Sequence, residues 1–113
     1  MRVTLITTGR RTGQRREANL YAWPDGNRLI IVGSAGGRAR HPAWVANLRA
    51  NADASVRRGR REERVRATEI SDGPERDRLW ALVTEAFPLY ATYQQRTGRT
   101  IPLFVLGPLE DGT

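Results

Sequence analysis

Three features of the sequence predict a mainly β fold with some α (α+β). The expected architecture is a small antiparallel barrel of about six strands, with two or three helices packed outside. First, the chain opens with three strand-like runs joined by short turns, a meander rather than a strand–helix–strand unit. Second, two further runs rich in charge flank a turn at Gly59. Third, helical periodicity is confined to short segments. The 113 residues suffice for one core, and no repeat or linker divides them. Residues 1–113 therefore read as a single domain, with 107–113 a loose polar tail.

Val3–Thr8 alternates β-branched and apolar residues and reads as the first strand. Gly9 to Gly13 breaks it, with glycine at both ends of a turn. Ala18–Trp23 is the second strand, Pro24 to Asn27 a turn, and Arg28–Val32 the third strand. A small-residue loop leads to Pro42, which suits the first position of a helix ending near Ala50, with Asn51 as its stop. Trp44, Val45 and Leu48 form the apolar stripe of that helix. Ala54–Arg58 and Glu62–Ile70 are the charged strands. Asp72 followed by Pro74 and Glu75 has the spacing of a capping box. Leu79, Leu82, Val83 and Ala86 then recur at helical spacing until Phe87-Pro88 ends the helix. Leu89–Arg96 is a short helix closed at Gly98, and Ile101–Leu106 is the last, apolar strand.

Composition removes several classes of chemistry. There is no cysteine and one histidine, His41, so thiolate sites, disulfides and histidine-rich metal centres are excluded, and no metal is expected. No apolar run approaches the length of a membrane span, and no signal peptide opens the sequence. The expectation is a cytoplasmic protein without stable membrane insertion. The formal charge is +7, and all 19 basic residues are arginine. A GC-rich genome accounts for the missing lysine as readily as function does. The excess positive charge still favours an anionic partner: a phosphorylated cofactor, nucleic acid or an anionic surface.

Three stretches carry candidate chemistry. In the turn Gly9–Gly13 and the following Gln14-Arg15-Arg16, glycines let backbone amides approach an anion, and Arg10, Arg11, Arg15 and Arg16 surround them. In Ser34 to Trp44, loop amides and a helix start lie beside Arg38 and Arg40. Trp44 there is read two ways, as core or as pocket wall, and His41 reads as a packing or capping residue. Tyr90 and Tyr93, three apart on one helix face, join Tyr21 as pocket or surface residues. No carboxylate pair is placed for acid–base work.

Taken in order, Leu5 to Gly13, Ser34-Ala35-Gly36-Gly37, His41-Pro42-Ala43-Trp44 with Asn47 to Asn51, Tyr90 to Gln94, and Arg99-Thr100-Ile101-Pro102 resemble the deazaflavin-dependent nitroreductase family. These are split β-barrel oxidoreductases that use coenzyme F420. The resemblance covers nearly the whole chain. It implies that Arg11, Arg16 and Arg40 hold the phosphate or tail carboxylates of F420. It implies that backbone of Ser34, Ala35, Gly36 and Gly37 contacts the deazaflavin ring, and that Pro42, Trp44 and Asn47 shape the pocket. Tyr21, Ser34, Tyr90 and Tyr93 would line the substrate side, with Tyr90, Tyr93, Ser34 or water giving a proton after hydride transfer to a quinone, activated alkene or nitroaromatic.

The sequence departs from the family at three points. It begins at the first strand, where members often carry an amphipathic segment. Ala35 stands where lysine is common, and Ala18-Asn19 replaces a more apolar pair. Strand alternation also sets Arg16 and Tyr21 on opposite faces, which favours Arg11 over Arg16 as an anion contact. Two other readings stay open: FMN in place of F420, and a nucleic-acid surface built on Arg57, Arg58, Arg60, Arg61, Arg64 and Arg66. No aromatic interleaves that arginine cluster, so nucleic acid is not the expected partner. A small-molecule substrate is expected; a homodimer is allowed, although no interface signature is visible.

Overall fold

The computed structural model describes residues 1–109. Seven strands, β1 (Arg2–Thr8), β2 (Arg15–Tyr21), β3 (Trp23–Asp25), β4 (Arg28–Val32), β5 (Asp53–Arg58), β6 (Arg61–Glu69) and β7 (Leu103–Pro108), form one sheet. Their order is β2-β1-β5-β6-β7-β4-β3, and every pairing is antiparallel. The first and last strands of that order are successive segments of one stretch, parted only by Ala22, so the sheet curls back on itself as a split barrel. Ala22 is fully buried. Its N–H donates to the Met1 carbonyl at 2.8 Å, and the Met1 amino group donates to the Ala22 carbonyl at 2.8 Å. The expected second strand is thus two strands that serve opposite ends of the sheet, which makes seven rather than six.

Two apolar layers hold the fold. Leu5, Ile31, Val56, Val65, Phe104 and Leu106 fill the barrel interior together with Trp44, Val45 and Leu48 of the first helix, α1 (Ala43–Ala50). Ile30, Val32, Leu103 and Val105 point the other way, onto α2 (Gly73–Ala86) and α3 (Leu89–Arg96). β4 and β7 are therefore buried on both faces, which is why they read as continuous apolar runs. Each such fully buried aliphatic contributes roughly 1.5–3 kcal/mol. β2, β5 and β6 have one solvated face, and their charges pair across strands: Arg57 with Glu17 at 2.7 Å, Arg66 with Asp53 at 3.2 Å, Arg15 with Glu62 at 2.6 Å. β2 begins at Arg15, which pairs with Thr8 of β1, three residues before the expected start.

Several element ends differ from the sequence reading. Pro42 is the N-cap of α1 rather than its first helical residue: its ψ of 149° is extended, and its carbonyl accepts from the Val45 N–H at 3.0 Å. Asp72 caps α2 by position but makes no side-chain cap bond, and the reciprocal half of the capping box is absent because the Glu75 carboxylate pairs with Arg78 and Arg28. α3 gives way at Thr97, before Gly98. β7 continues through Pro108, paired with Val65, so the expected tail begins later. Residues 110–113 of that tail lie outside the described residues.

Candidate cofactor and substrate site

The site begins where β1 turns into β2. The Gly9 N–H donates to the Gln14 carbonyl at 2.7 Å and the Gly13 N–H to the Gly9 carbonyl at 2.8 Å, which closes the turn. Asn47 of α1 clips that turn to the helix. Its amide donates to Thr7 Oγ1 at 3.1 Å, and its carbonyl oxygen accepts the Arg10 N–H at 3.1 Å. Among the described residues Asn47 and Thr7 are the two buried polar residues, 7% and 3% exposed, and they satisfy one another. A cavity of about 440 Å³ opens between this turn and the start of α1, lined by Arg10, Arg11, Arg16, Ala43, Trp44 and Asn47 among others.

This cavity brings together four of the predicted cofactor contacts: Arg11, Arg16, Trp44 and Asn47. Arg16 needs no bulge to reach it. Ala18, Leu20 and Ala22 share its face and pack toward the barrel core, and Arg16 continues that face to the open end. Tyr21 lies on the other face, as alternation demands. Among the described residues, Arg11 and Arg16 have no carboxylate within ion-pairing distance, unlike their neighbour Arg15. At the start of α1 the Ala43 and Trp44 amides have no acceptor among the described residues, and both residues line the cavity, so positive potential gathers there. Trp44 is both pocket wall and core: it is 8% exposed and meets Phe104 edge-on, with ring centroids 5.8 Å apart. Pro42 borders an adjoining cavity of about 310 Å³ that shares Arg10, Ala43 and Asn47 with the first.

Ser34, Ala35, Gly36, Gly37 and Arg40 do not line the first cavity. Ala35–Gly37 is one turn of 3₁₀ helix. The Gly37 N–H is spent on the Ser34 carbonyl at 2.8 Å and the Arg38 N–H on the Ala35 carbonyl at 3.3 Å. The turn packs on α3: a Cβ at Gly37 would sit 3.1 Å from the Tyr93 Cα, and the Gly37 φ of 81° also favours glycine. Arg38 and Arg40 are exposed.

The three tyrosines are connected by residues the sequence reading passed over. Tyr21 stacks on Trp23 (6.2 Å), Trp23 meets Tyr90 edge-on (6.3 Å), Tyr90 meets Phe87 (4.8 Å), and Phe87 neighbours Tyr93 (6.4 Å). This row runs from the exposed Tyr21 to Tyr93 beside Gly37. Tyr90 is 7% exposed, and its hydroxyl accepts from the Trp23 indole at 3.1 Å. Burial raises the Tyr90 pKa above the usual tyrosine value. Alternation carries the signal that places Trp23 with Tyr21, since residues two apart share a strand face.

His41 bonds through Nδ1 to Arg99 Nη1 at 2.8 Å. An arginine only donates, so His41 accepts there and is neutral. Burial, then the charge of Arg99, hold its pKa below the usual histidine value. The packing reading of His41 holds. Of the arginine cluster on β5 and β6, Arg57, Arg61 and Arg66 are tied to carboxylates, which leaves less free charge for a nucleic-acid surface.

The family model for F420H(2)-dependent quinone reductases matches residues 1–108. The chain belongs to that family. The F420H(2)-dependent quinone reductase Rv1261c of Mycobacterium tuberculosis is 40% identical over 104 residues, covering 90% of this chain and 70% of that protein. A second protein from the same organism, described as a putative F420H(2)-dependent quinone reductase, Rv3178, is 35% identical over 99 residues, covering 88% of this chain and 82% of its own. A solved structure of an F420-H2 dependent reductase, FDR-A, superposes with a TM-score of 0.82 at 37% identity, over 93% of this chain and 92% of that one. A further solved structure, described only as a domain-swapped dimer, gives a TM-score of 0.83 at 37% identity, over 93% of this chain and 78% of that one. The heme storage protein HutZ from Vibrio cholerae, at 16% identity and a TM-score of 0.69 over 97% and 82%, shares the fold alone. The protein is an F420-dependent reductase by family, and F420 rather than FMN is the family's cofactor. Among the described residues no helix is long and apolar enough to cross a membrane, and no cluster of metal-ligating side chains occurs.

Proposed function

We propose that this quinone reductase family member binds F420 in the cavity between the β1–β2 turn and α1, and reduces a small electron-poor acceptor held against the tyrosine row. The observation that carries the reading is the pair Arg11 and Arg16, two guanidiniums without carboxylate partners beside free helix-start amides. That donor set fits the phosphate and tail carboxylates of F420. Trp44 and Asn47 wall the pocket, Pro42 borders the cavity beside it, and the backbone of Ser34 to Gly37 is assigned to the deazaflavin ring. When bound, the reduced deazaflavin supplies the hydride.

The chain's own contribution is position, charge and a proton. Asn47 fixes the turn against α1, so the arginines present a set geometry. The Tyr90 hydroxyl accepts from Trp23 and keeps its own hydrogen free to donate toward an acceptor. A tyrosine hydroxyl is protonated at neutral pH, and burial pushes the Tyr90 pKa further up. Tyr93, reached from Tyr90 through Phe87, and Ser34 are the other candidate hydroxyls. A quinone is the first acceptor to test, ahead of activated alkenes and nitroaromatics. Pairing of two copies belongs to this reading too, since a structure 37% identical is described as a domain-swapped dimer.

Titration of the purified protein with oxidised F420, with FMN and a random oligonucleotide in parallel, tests the cofactor. Binding of F420 alone is expected; binding of FMN alone, or of only the oligonucleotide with steep salt dependence, overturns the reading. Oxidation of F420H2 by a soluble quinone then tests the acceptor.

A further inference from the structure

Arg99, in the connection from α3 to β7, makes a set of contacts unlike those of any arginine in an ion pair. Its Nε donates to the Arg38 carbonyl at 2.9 Å, Nη2 to the Ser34 carbonyl at 2.7 Å, and Nη1 to the Gly33 carbonyl at 3.0 Å. Nη1 also bonds His41 Nδ1 at 2.8 Å. All four acceptors belong to the loop between β4 and α1, and none is a carboxylate.

This has a consequence for the loop's amides. No peptide bond is cis, so in each peptide unit the N–H points opposite to the C=O. Drawing the Gly33 and Ser34 carbonyls onto one guanidinium turns the Ser34 and Ala35 N–H groups away from it. Neither amide, nor that of Gly36, donates to any group among the described residues. Ser34 is right-handed helical (φ −73°, ψ −35°) and Ala35 is left-handed (φ 47°). Successive residues of opposite hand turn their N–H groups into one concavity, a nest that accepts anionic or partly anionic oxygen. Ala35 is the one non-glycine residue with positive φ among those described, and such strain persists only where surrounding contacts over-determine it. The carbonyl just before Ala35 is the one Arg99 holds at 2.7 Å.

Resting on the F420 reading above, we propose that Arg99 is a positioning residue for the cofactor ring: it holds the amides of Ser34, Ala35 and Gly36 as a nest for the ring's carbonyl edge. The negative charge of an ionised 8-hydroxy-5-deazaflavin is shared by conjugation with that edge. Donors placed there, with the Arg99 charge behind them, stabilise the anion and lower the pKa of the bound 8-hydroxyl.

The test uses binding and spectra rather than turnover. Oxidised F420 is titrated into the wild type, Arg99→Lys, Ser34→Pro and Ser34→Ala, and the bound 8-hydroxyl is titrated by its own absorbance, to which His41 contributes nothing. Ser34→Pro removes one nest amide at a φ proline accepts, and Ser34→Ala controls for the lost hydroxyl. Arg99→Lys and Ser34→Pro are each expected to weaken binding roughly tenfold and to return the hydroxyl pKa toward its free value, while Ser34→Ala does neither. Affinity within twofold of wild type and an unmoved hydroxyl pKa, in either of the first two once folded by thermal melt, overturns the proposal. If Arg99→Lys does not fold, Ser34→Pro decides alone. A wild type that binds no F420 overturns the cofactor reading instead.

Discussion

Two groups of arginines at different places on the barrel show how one residue type is divided between structure and ligand. Around the β3–β4 turn, Arg28 and Arg78 converge on Asp25 at 2.7 and 2.9 Å, and both reach Glu75 at 3.3 and 3.1 Å. At the β1–β2 turn, Arg11 and Arg16 face a cavity, and among the described residues neither lies within ion-pairing distance of a carboxylate; Glu17, which also lines it, pairs with Arg15 and Arg57. The chain has no lysine, so residue identity cannot separate the two roles. The partners do. An arginine bound to carboxylates on another element joins two elements, whereas unpaired arginines beside free amides raise the potential of a site. Arg99, bound only to carbonyls and His41, is a third kind that shapes backbone.

The comparison breaks most visibly at Trp44, which belongs to both the core and the cavity. Trp44→Ala is expected to cost roughly 3–5 kcal/mol of stability, read from a denaturant melt, and to weaken F420 binding as well. Loss of binding with an unchanged melt would make it pocket wall only. Arg11→Ala sharpens the contrast from the other side. It should weaken F420 binding by about 1.5–3 kcal/mol, the range for hydrogen bonds to charged groups, with the melt unmoved and the salt dependence of binding reduced. Tyr90→Phe is expected to leave cofactor affinity unchanged, lower turnover, and cost about 1–3 kcal/mol of stability because the Trp23 indole loses its acceptor. Full turnover in that variant would move the proton to Tyr93, Ser34 or water.

Periodicity made most of the fold legible, because β4, β7 and α1 obey one burial rule along their length. What it missed follows from events between elements. Ala22 splits the second strand because a buried small residue there lets one stretch pair at both ends of the sheet. Asp72 and Glu75 carry a capping-box spacing, but Arg28 and Arg78, which arrive from other parts of the chain, compete for Glu75. At the site, Arg11 and Trp44 were legible from local pattern together with the family resemblance. Trp23 and Phe87 were not, since nothing local links them to three tyrosines spread over seventy residues of sequence. Nor was the Arg99 clamp, whose acceptors lie about sixty residues away.

The smallest expected effect lies in the paired group and depends on pH. Arg78, then Arg28, hold the Asp25 carboxyl down at about 2, below its ordinary value of 3.8. A carboxylate whose pKa is depressed by folding stabilises the fold wherever it is ionised in both states. That contribution is complete above the ordinary value and is lost as pH falls through 3.8 toward 2. These pairs lie near the surface, so Asp25→Asn should cost on the order of 1 kcal/mol at neutral pH. Its melt should then fall less steeply than the wild type's between pH 4 and 2, so that the two curves approach one another at the acid end. F420 affinity should be the same in both proteins. Parallel melting curves across that window would mean that the Asp25 pairs are idle, and a change in affinity would join the two arginine groups that the structure keeps apart.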